Sequence, residues 1–161
     1  MNPAAPGPAD RVRLAVELVP KTCWFSNVRD HVDEKTWDRL RRQTYAKAGH
    51  RCQICGGRGP RWPVECHEVW HYDDQTQVQK LMSLIALCPA CHEAKHMGLA
   101  EVNGRGEAAR AHLAKVNRWT AQDTDLYLEG VWETWYARSR CDWTLDLTWL
   151  ERLGVVVAPK R

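Results

Sequence analysis

The chain lacks the features that mark a membrane or secreted protein. No stretch of its 161 residues approaches the roughly 18 consecutive apolar side chains that a membrane-spanning helix needs. Its first ten residues, MNPAAPGPAD, contain neither the basic start nor the apolar run of a secretory signal. We therefore expect a cytoplasmic protein without membrane contact, whose residues 1–10 are disordered.

The chain also lacks a strong net charge, since its formal value is only +3. It has no internal repeats or low-complexity segments, so its length favours one domain, which we place at residues 11–153 before a tail at 154–161. The positive charge is local, because residues 29–61 carry nine Lys or Arg against four Asp or Glu. A solvated helix face explains such a bias as readily as a site for nucleic acid does.

Apolar periodicity predicts an α+β fold. Alternating apolar and polar residues at 11–19 predict a strand, and a similar alternation at 143–149 predicts a closing strand that pairs with it. Residues 33–49 predict a basic helix that ends at Gly49. A helical hairpin is expected at about 107–139, with Thr120 as the N-cap of its second helix and Asp123 completing a capping box.

What the chain does have is cysteine, seven in all, of which four form two Cys-x-x-Cys pairs. Without a secretory signal, such pairs favour thiolate metal ligands over disulfides. Four thiolates match the tetrahedral geometry of zinc, and such a closed site supports folding. We predict a structural zinc on the residues Cys52, Cys55, Cys88 and Cys91. Cys23 and Cys141 are expected to be ordinary core residues.

Histidines stand between and after the two cysteine pairs. His67 follows Cys66 in the strand-like segment VECHEVW, while His92 and His96 lie one helical turn apart in CPACHEAKH. Over about residues 50–98 the chain resembles the HNH, or ββα-metal, nucleases of the four-cysteine kind. The resemblance implies an α+β fold with a ββα-metal core and a zinc knuckle, to which flanking helices and short N- and C-terminal strands are added.

The resemblance also implies metal-dependent hydrolysis of DNA. His67 would be the general base, and His92 and His96 would hold a divalent metal, which could be Mg²⁺, Mn²⁺, Ni²⁺ or Zn²⁺. Phosphodiester hydrolysis needs an oriented water, a base of near-neutral pKa and a cation to offset the developing charge. The basic helix would contact the phosphates through Lys35, Arg39, Arg42, Lys47 and Arg51.

Two positions depart from the family pattern. The family usually has Asp or His where this chain has Cys66, and Asn where it has Ser83. Cys66 could bind a soft metal such as zinc but suits magnesium poorly, so Glu65 or Glu68 could serve instead. Ser83 would orient His67 less firmly than Asn would. These departures leave catalysis open, and the second interpretation is a non-catalytic, zinc-stabilised module that binds nucleic acid.

A third interpretation is a zinc metalloprotease, because the pattern His-Glu-x-x-His occurs at residues 67–71 and again at 92–96. In such proteases a helix presents both histidines to one metal. The first match lies in strand-like sequence, where His71 would be about 13 Å from His67. Both matches also stand close to cysteines assigned to zinc, so we rank this interpretation last.

Overall fold

The computed structural model describes residues 12–24 and 26–158. Within them the order of elements is α1 Glu34–Lys47, β1 Glu65–Asp73, β2 Val78–Leu87, α2 Pro89–Lys95, α3 Met97–Val102, α4 Gly106–Asn117, α5 Ala121–Arg138, β3 Thr144–Asp146 and α6 Thr148–Arg152. Single 3-10 turns at Lys21–Cys23 and Val28–Asp30 precede α1. The architecture is α+β, as predicted. The predicted disordered residues 1–10 and the end of the tail at 159–161 lie outside the described residues.

The described strands form one sheet in the order β1, β2, β3. The first two make an antiparallel hairpin, in which His67 is paired with Ile85 and Val69 with Ser83. The carboxylate of Asp73 closes the connecting turn by accepting hydrogen bonds from the backbone of Gln75 and Thr76. The register shifts once, between Val69 and Trp70, so strand alternation is regular around His67.

Two hydrophobic clusters stabilise the domain. The first joins the N-terminal segment and the cysteine pairs to helices α2 to α5, and its fully buried side chains include Leu14, Leu87, Met97 and Leu113. The second joins α1, β2 and α6 through Val28, Leu40, Leu81 and Leu150. Each such side chain contributes about 1.5–3 kcal/mol on full burial. The helices around the sheet are therefore held by packing rather than by their own propensity.

Helices α1 and α5 begin where the sequence predicts. The Asp33 carboxylate accepts a hydrogen bond from the Thr36 amide and caps α1. Thr120 and Asp123 form the predicted capping box at the start of α5. The predicted helix after the second cysteine pair is interrupted at His96, where α2 ends, and the chain continues as α3 to Val102.

The predicted N-terminal strand is wrong, whereas the predicted C-terminal strand is present only as the short β3 and pairs with a different strand. Residues 12–20, all of them described, form no strand, although Leu14 and Val16 are buried as the alternation requires. Their backbone groups bond to side chains of Asn117 and Tyr127 instead of to a neighbouring strand. At the other end only β3 is extended, and it pairs parallel with β2. The chain then turns into α6, because Asp146 accepts a hydrogen bond from the amide of Thr148.

The two cysteines predicted for the core and the predicted C-terminal tail differ in burial. Cys23 is buried, as predicted, whereas Cys141 is only partly buried, so its assignment to the core is wrong. Within the predicted tail, Val155 is buried and Ala158 exchanges hydrogen bonds with the backbone and the ring of His31. No helix in the described part of the chain is long and apolar enough to cross a bilayer.

Candidate metal centres

The four cysteines of the two pairs converge in the structure. Cys52 and Cys55 lie in the turn after α1, while Cys88 and Cys91 lie at the start of α2, and their sulfur atoms are all within 4.8 Å of one another. The Sγ atoms of Cys55 and Cys88 are 3.6 Å apart. A tetrahedral zinc with bonds of about 2.3 Å places its sulfurs about 3.8 Å apart. The donor set and its spacing therefore fit zinc.

The turn that carries the first pair has the geometry of a zinc knuckle. Its amides point at sulfur, since the amide of Cys55 donates to Cys52 Sγ at 3.5 Å and that of Gly57 donates to Cys55 Sγ at 3.4 Å. Gly56 has a φ of +76°, which a side chain would strain. A Cβ on Gly59 would lie 2.3 Å from the Trp62 carbonyl oxygen, so the following turn also requires glycine.

A histidine that the sequence analysis missed lies beside this cluster. Nε2 of His112, on α4, is 3.2 Å from the Sγ atom of Cys91. Burial lowers the pKa of His112, so the ring is neutral and can donate one N–H to the sulfur. A hydrogen bond from Cys91 lowers the pKa of Cys52, which favours one thiolate within the group. Only the three-dimensional packing of α4 on α2 brings His112 to this position.

Three histidines form a second group that could hold a metal. His67 lies on β1, His92 in α2 and His96 directly after α2, and each offers a ring nitrogen within 4.8 Å of the other two. Their ring centroids are 5.3 Å apart for His67 and His92, 5.1 Å for His67 and His96, and 4.8 Å for His92 and His96. Imidazole donors suit zinc, nickel and other transition metals. The sequence-predicted histidines are thus brought together.

The environment keeps two of these rings neutral. Burial lowers the pKa of His67, whose side chain is only 3% exposed, although the nearby Glu17 carboxylate partly offsets this effect. Burial, together with the two neighbouring histidines, lowers the pKa of His96 to about 3. A neutral imidazole is the form that binds a metal or accepts a proton. His67 and His96 are therefore in the form that a metal binds at neutral pH.

A carboxylate and an ammonium group that the sequence analysis missed also lie in this site. Glu17 places Oε2 2.8 Å from His67 Nε2, and its Oε1 accepts a hydrogen bond of 2.9 Å from Lys95 Nζ. Burial raises the pKa of Glu17, but its bonds to His67 and Lys95 outweigh that and hold it below the ordinary value. A single carboxylate within the apolar run LAVELV is the signal that could have revealed it.

The histidine group opens on a cavity of about 260 Å³. Its lining includes all three histidines and Glu17, together with the aromatic side chains of Trp24 and Trp70. Glu65 extends the polar side of the site, because its carboxylate contacts Nδ1 of His92 and accepts a hydrogen bond of 2.8 Å from the Trp62 indole. A small charged group could therefore approach the histidines from the cavity.

Two residues predicted for the site do not join the histidine group. Among the described residues the metal-capable group excludes Cys66, whose neighbouring position on β1 directs it to the other face of the strand. Burial there raises the pKa of Cys66 to about 11, which disfavours the thiolate that a metal needs. No hydrogen bond in the described part of the chain joins Ser83 to His67. Glu68, the other alternative ligand, accepts a hydrogen bond from the amide of Val28.

The basic side chains predicted to bind nucleic acid are all exposed. They lie on α1 or shortly after it, at Lys35, Arg39, Arg42, Lys47 and Arg51. Arg42 makes only a loose ion pair with Asp38, at 3.7 Å. Exposed, weakly paired cations of this kind are free to contact phosphates.

The protease pattern is reproduced only in part, because the second match brings its two histidines together but not its glutamate. Residues 67–71 belong to β1, and His71 is exposed rather than directed at the histidine group. In the second match both oxygens of Glu93 accept hydrogen bonds from Arg105, at 2.8 and 3.1 Å. The glutamate that a protease would use as its base is thus engaged elsewhere.

A comparison of the chain with known protein families, with curated proteins and with solved structures found no match.

Proposed function

We propose that the chain is a metal-dependent endonuclease of the HNH, or ββα-metal, class that hydrolyses DNA phosphodiester bonds. The observation that carries this proposal is the convergence of three histidines from a β-hairpin and the helix that follows it. His67 comes from β1, and His92 and His96 come from α2 and its C-terminal end. A cysteine group suited to structural zinc fixes the start of the same helix, which supports a ββα-metal core.

In this proposal His67 is the general base. Its neutral, buried ring keeps a lone pair available to accept a proton from water. His92 and His96 hold a divalent metal, which when bound would offset the negative charge that develops on the phosphate. Imidazole favours Ni²⁺ or Zn²⁺, while Mg²⁺ or Mn²⁺ would depend on an oxygen donor such as Glu65, which already contacts His92.

The remaining parts of the proposal concern substrate and surroundings. The exposed cations on and after α1 would contact the DNA backbone without reading its sequence. Cysteines that bind zinc as thiolates must stay reduced, and we therefore place the protein in the cytoplasm. The proposal requires no membrane.

Cleavage of plasmid DNA tests the proposal. The zinc-loaded protein is incubated with supercoiled plasmid and Mg²⁺, Mn²⁺ or Ni²⁺, in parallel with the variants His67→Ala and His71→Ala. We expect loss of His67 to slow cleavage by about 10²- to 10⁴-fold, because the general base is removed. His71 is the matched control, since it is an exposed histidine on the same strand, and its variant should cleave like the wild type. Equal rates for all three proteins would remove His67 from the chemistry.

A non-catalytic module that binds nucleic acid is the second candidate. It is favoured by the 3% exposure of His67, whose Nε2 faces Glu17 rather than the cavity solvent. Such a module would bind DNA with an affinity that falls steeply with salt, because binding releases counterions from the phosphates. Salt-dependent binding without cleavage under any of the three ions would favour this candidate over the nuclease.

A further inference from the structure

The N-terminal segment 12–20 carries a carboxylate into the histidine site. It belongs neither to the hairpin that supplies His67 nor to the helix that supplies His92 and His96, yet it places the Glu17 carboxylate on the ring of His67. The two residues are 50 positions apart in the sequence. An extended segment that binds no neighbouring strand needs other contacts to hold such a position.

Side chains of three helices provide those contacts. Asn117, at the end of α4, accepts hydrogen bonds from the amides of Arg13 and Leu14 and donates one to the Leu14 carbonyl. The hydroxyl of Tyr127 on α5 accepts a hydrogen bond of 3.0 Å from the amide of Val16. The segment is therefore clamped by both helices of the C-terminal hairpin.

Lys95 on α2 completes the clamp next to the site. Its ammonium donates to the carbonyl of Ala15 at 3.1 Å and to Glu17 Oε1 at 2.9 Å, while its own carbonyl accepts a hydrogen bond from the Glu17 amide. Lys95 is only 5% exposed, so these bonds satisfy a charge that burial would otherwise make costly. Both the backbone and the carboxylate of Glu17 are fixed from this one residue.

The consequence for His67 follows from the chemistry of a carboxylate. An ionised carboxylate only accepts hydrogen bonds, so the His67 Nε2 atom at 2.8 Å from Glu17 must carry a hydrogen. The neutral ring then has its lone pair on Nδ1. Since Ser83 makes no hydrogen bond to His67 among the described residues, the carboxylate performs the orienting task that the sequence assigned to that serine.

We propose that Glu17 is a positioning residue that fixes His67 in its Nε2–H tautomer, with Lys95 and the clamped segment 12–20 holding the carboxylate in place. The effect on catalysis rests on the proposed nuclease function, whereas the effect on the tautomer does not. Metal binding by Glu17 is the competing role. It is disfavoured because one carboxylate oxygen is bound to a buried ammonium group and the other to a ring nitrogen.

Nitrogen-15 NMR of the histidine rings in the full, zinc-loaded chain tests the tautomer directly. Long-range proton–nitrogen correlations distinguish the two neutral tautomers, and the His67→Ala variant identifies the His67 signals. We expect a single Nε2–H form in the wild type and a mixture of both forms in Glu17→Gln, because an amide can donate as well as accept. The exposed Glu133 on α5 provides the control, and Glu133→Gln should leave the His67 signals unchanged.

In Glu17→Gln the buried charge of Lys95 loses its partner, which could unfold the protein. A second pair of variants keeps the test possible in that case. Lys95→Met keeps the Glu17 carboxylate and the backbone bonds that clamp its segment, so it should retain the Nε2–H form. The double variant Glu17→Gln with Lys95→Met removes both charges and should show both tautomers. An unchanged tautomer in Glu17→Gln or in the double variant would overturn the proposal. A loss of Mn²⁺ affinity in Glu17→Gln, measured by calorimetry, together with an unchanged tautomer would assign Glu17 to the metal instead.

Kinetics test the catalytic consequence separately. In a wild type that cleaves DNA, we expect Glu17→Gln to lower kcat by about 10- to 100-fold with little change in KM, as when a carboxylate behind a functional histidine is lost. An equal kcat would contradict positioning even if cleavage itself is established. If the wild type cleaves nothing, the nuclease proposal fails, while the NMR result still decides the role of Glu17.

Discussion

The two candidate metal groups differ in what surrounds them, although both depend on α2. Cys88 and Cys91 begin this helix, and His92 and His96 follow along it. The cysteine group is packed inside the larger hydrophobic cluster, with three of its four members buried. The histidine group instead lines a cavity and contacts charged side chains from other elements.

The two groups on this one helix are therefore expected to have different roles, the cysteine group in stability and the histidine group in chemistry. A closed group of four thiolates leaves no position for a substrate, so its metal would contribute to folding. Three imidazoles beside a cavity leave room for further ligands, which is the arrangement that reactions require. Loss of the first group should therefore unfold the domain, and loss of the second should leave the fold intact.

The largest expected effect is the loss of zinc from the cysteine group. Cys91→Ser should abolish zinc binding and unfold the domain, because structural zinc contributes about 10–16 kcal/mol in small zinc-dependent folds. Zinc content by mass spectrometry and thermal unfolding by circular dichroism measure both effects. Cys141→Ser is the control, since this partly buried cysteine lies outside the group and its variant should keep its zinc. A Cys91 variant that keeps both its zinc and its Tm would contradict the structural role of the cysteine group.

A smaller effect is expected in the histidine group. His92→Ala and His96→Ala should weaken the binding of a second metal by at least about tenfold, while the structural zinc and the Tm are retained. Calorimetric titration of the zinc-loaded protein with Mn²⁺ or Ni²⁺ measures this affinity, and His71→Ala provides a histidine outside the group. If either variant lost its zinc and unfolded, the two groups would not be independent.

The sequence indicated the two cysteine pairs and the pair of His92 and His96 because these signals are local, whereas the place of His67 beside them was implied only by the family resemblance. The spacing of the cysteine pairs and of His92 and His96 follows from one turn of chain or helix, and the caps of α1 and α5 are equally short-range. Such patterns can be recognised in the sequence because they depend only on residues that are close together in the chain. The zinc-type cluster and the α+β class could therefore be predicted without knowledge of the tertiary structure.

What the sequence did not reveal depends on distant contacts. Glu17 reaches His67 because Lys95 binds it and because Asn117 and Tyr127, about a hundred residues further on, hold its segment. The alternation at 12–20 correctly indicated buried side chains but could not show that the backbone would bond to side chains rather than to a strand. His112 likewise reaches Cys91 through helix packing alone.

The smallest expected effect concerns an ion pair outside both groups, which should contribute to stability without affecting either metal. Arg138 on α5 binds both oxygens of Asp74, in the β1–β2 turn, at 2.7 Å each. Asp74→Asn should lower the free energy of unfolding by less than about 1 kcal/mol, because Asp74 is largely exposed. The bond to Arg138 lowers the pKa of Asp74. The contribution of Asp74 to the free energy of unfolding is therefore complete above the unfolded pKa of about 3.9 and is lost only as the pH falls through the lower folded pKa.

Urea unfolding measures this contribution as the difference in the free energy of unfolding between Asp74→Asn and the wild type. The difference should be constant between about pH 6 and 8 and should shrink in high salt. The control variant Asp142→Asn changes an exposed carboxylate and should unfold with the same free energy as the wild type. A change in metal content in the Asp74 variant would contradict the separation of the metal groups from the rest of the fold.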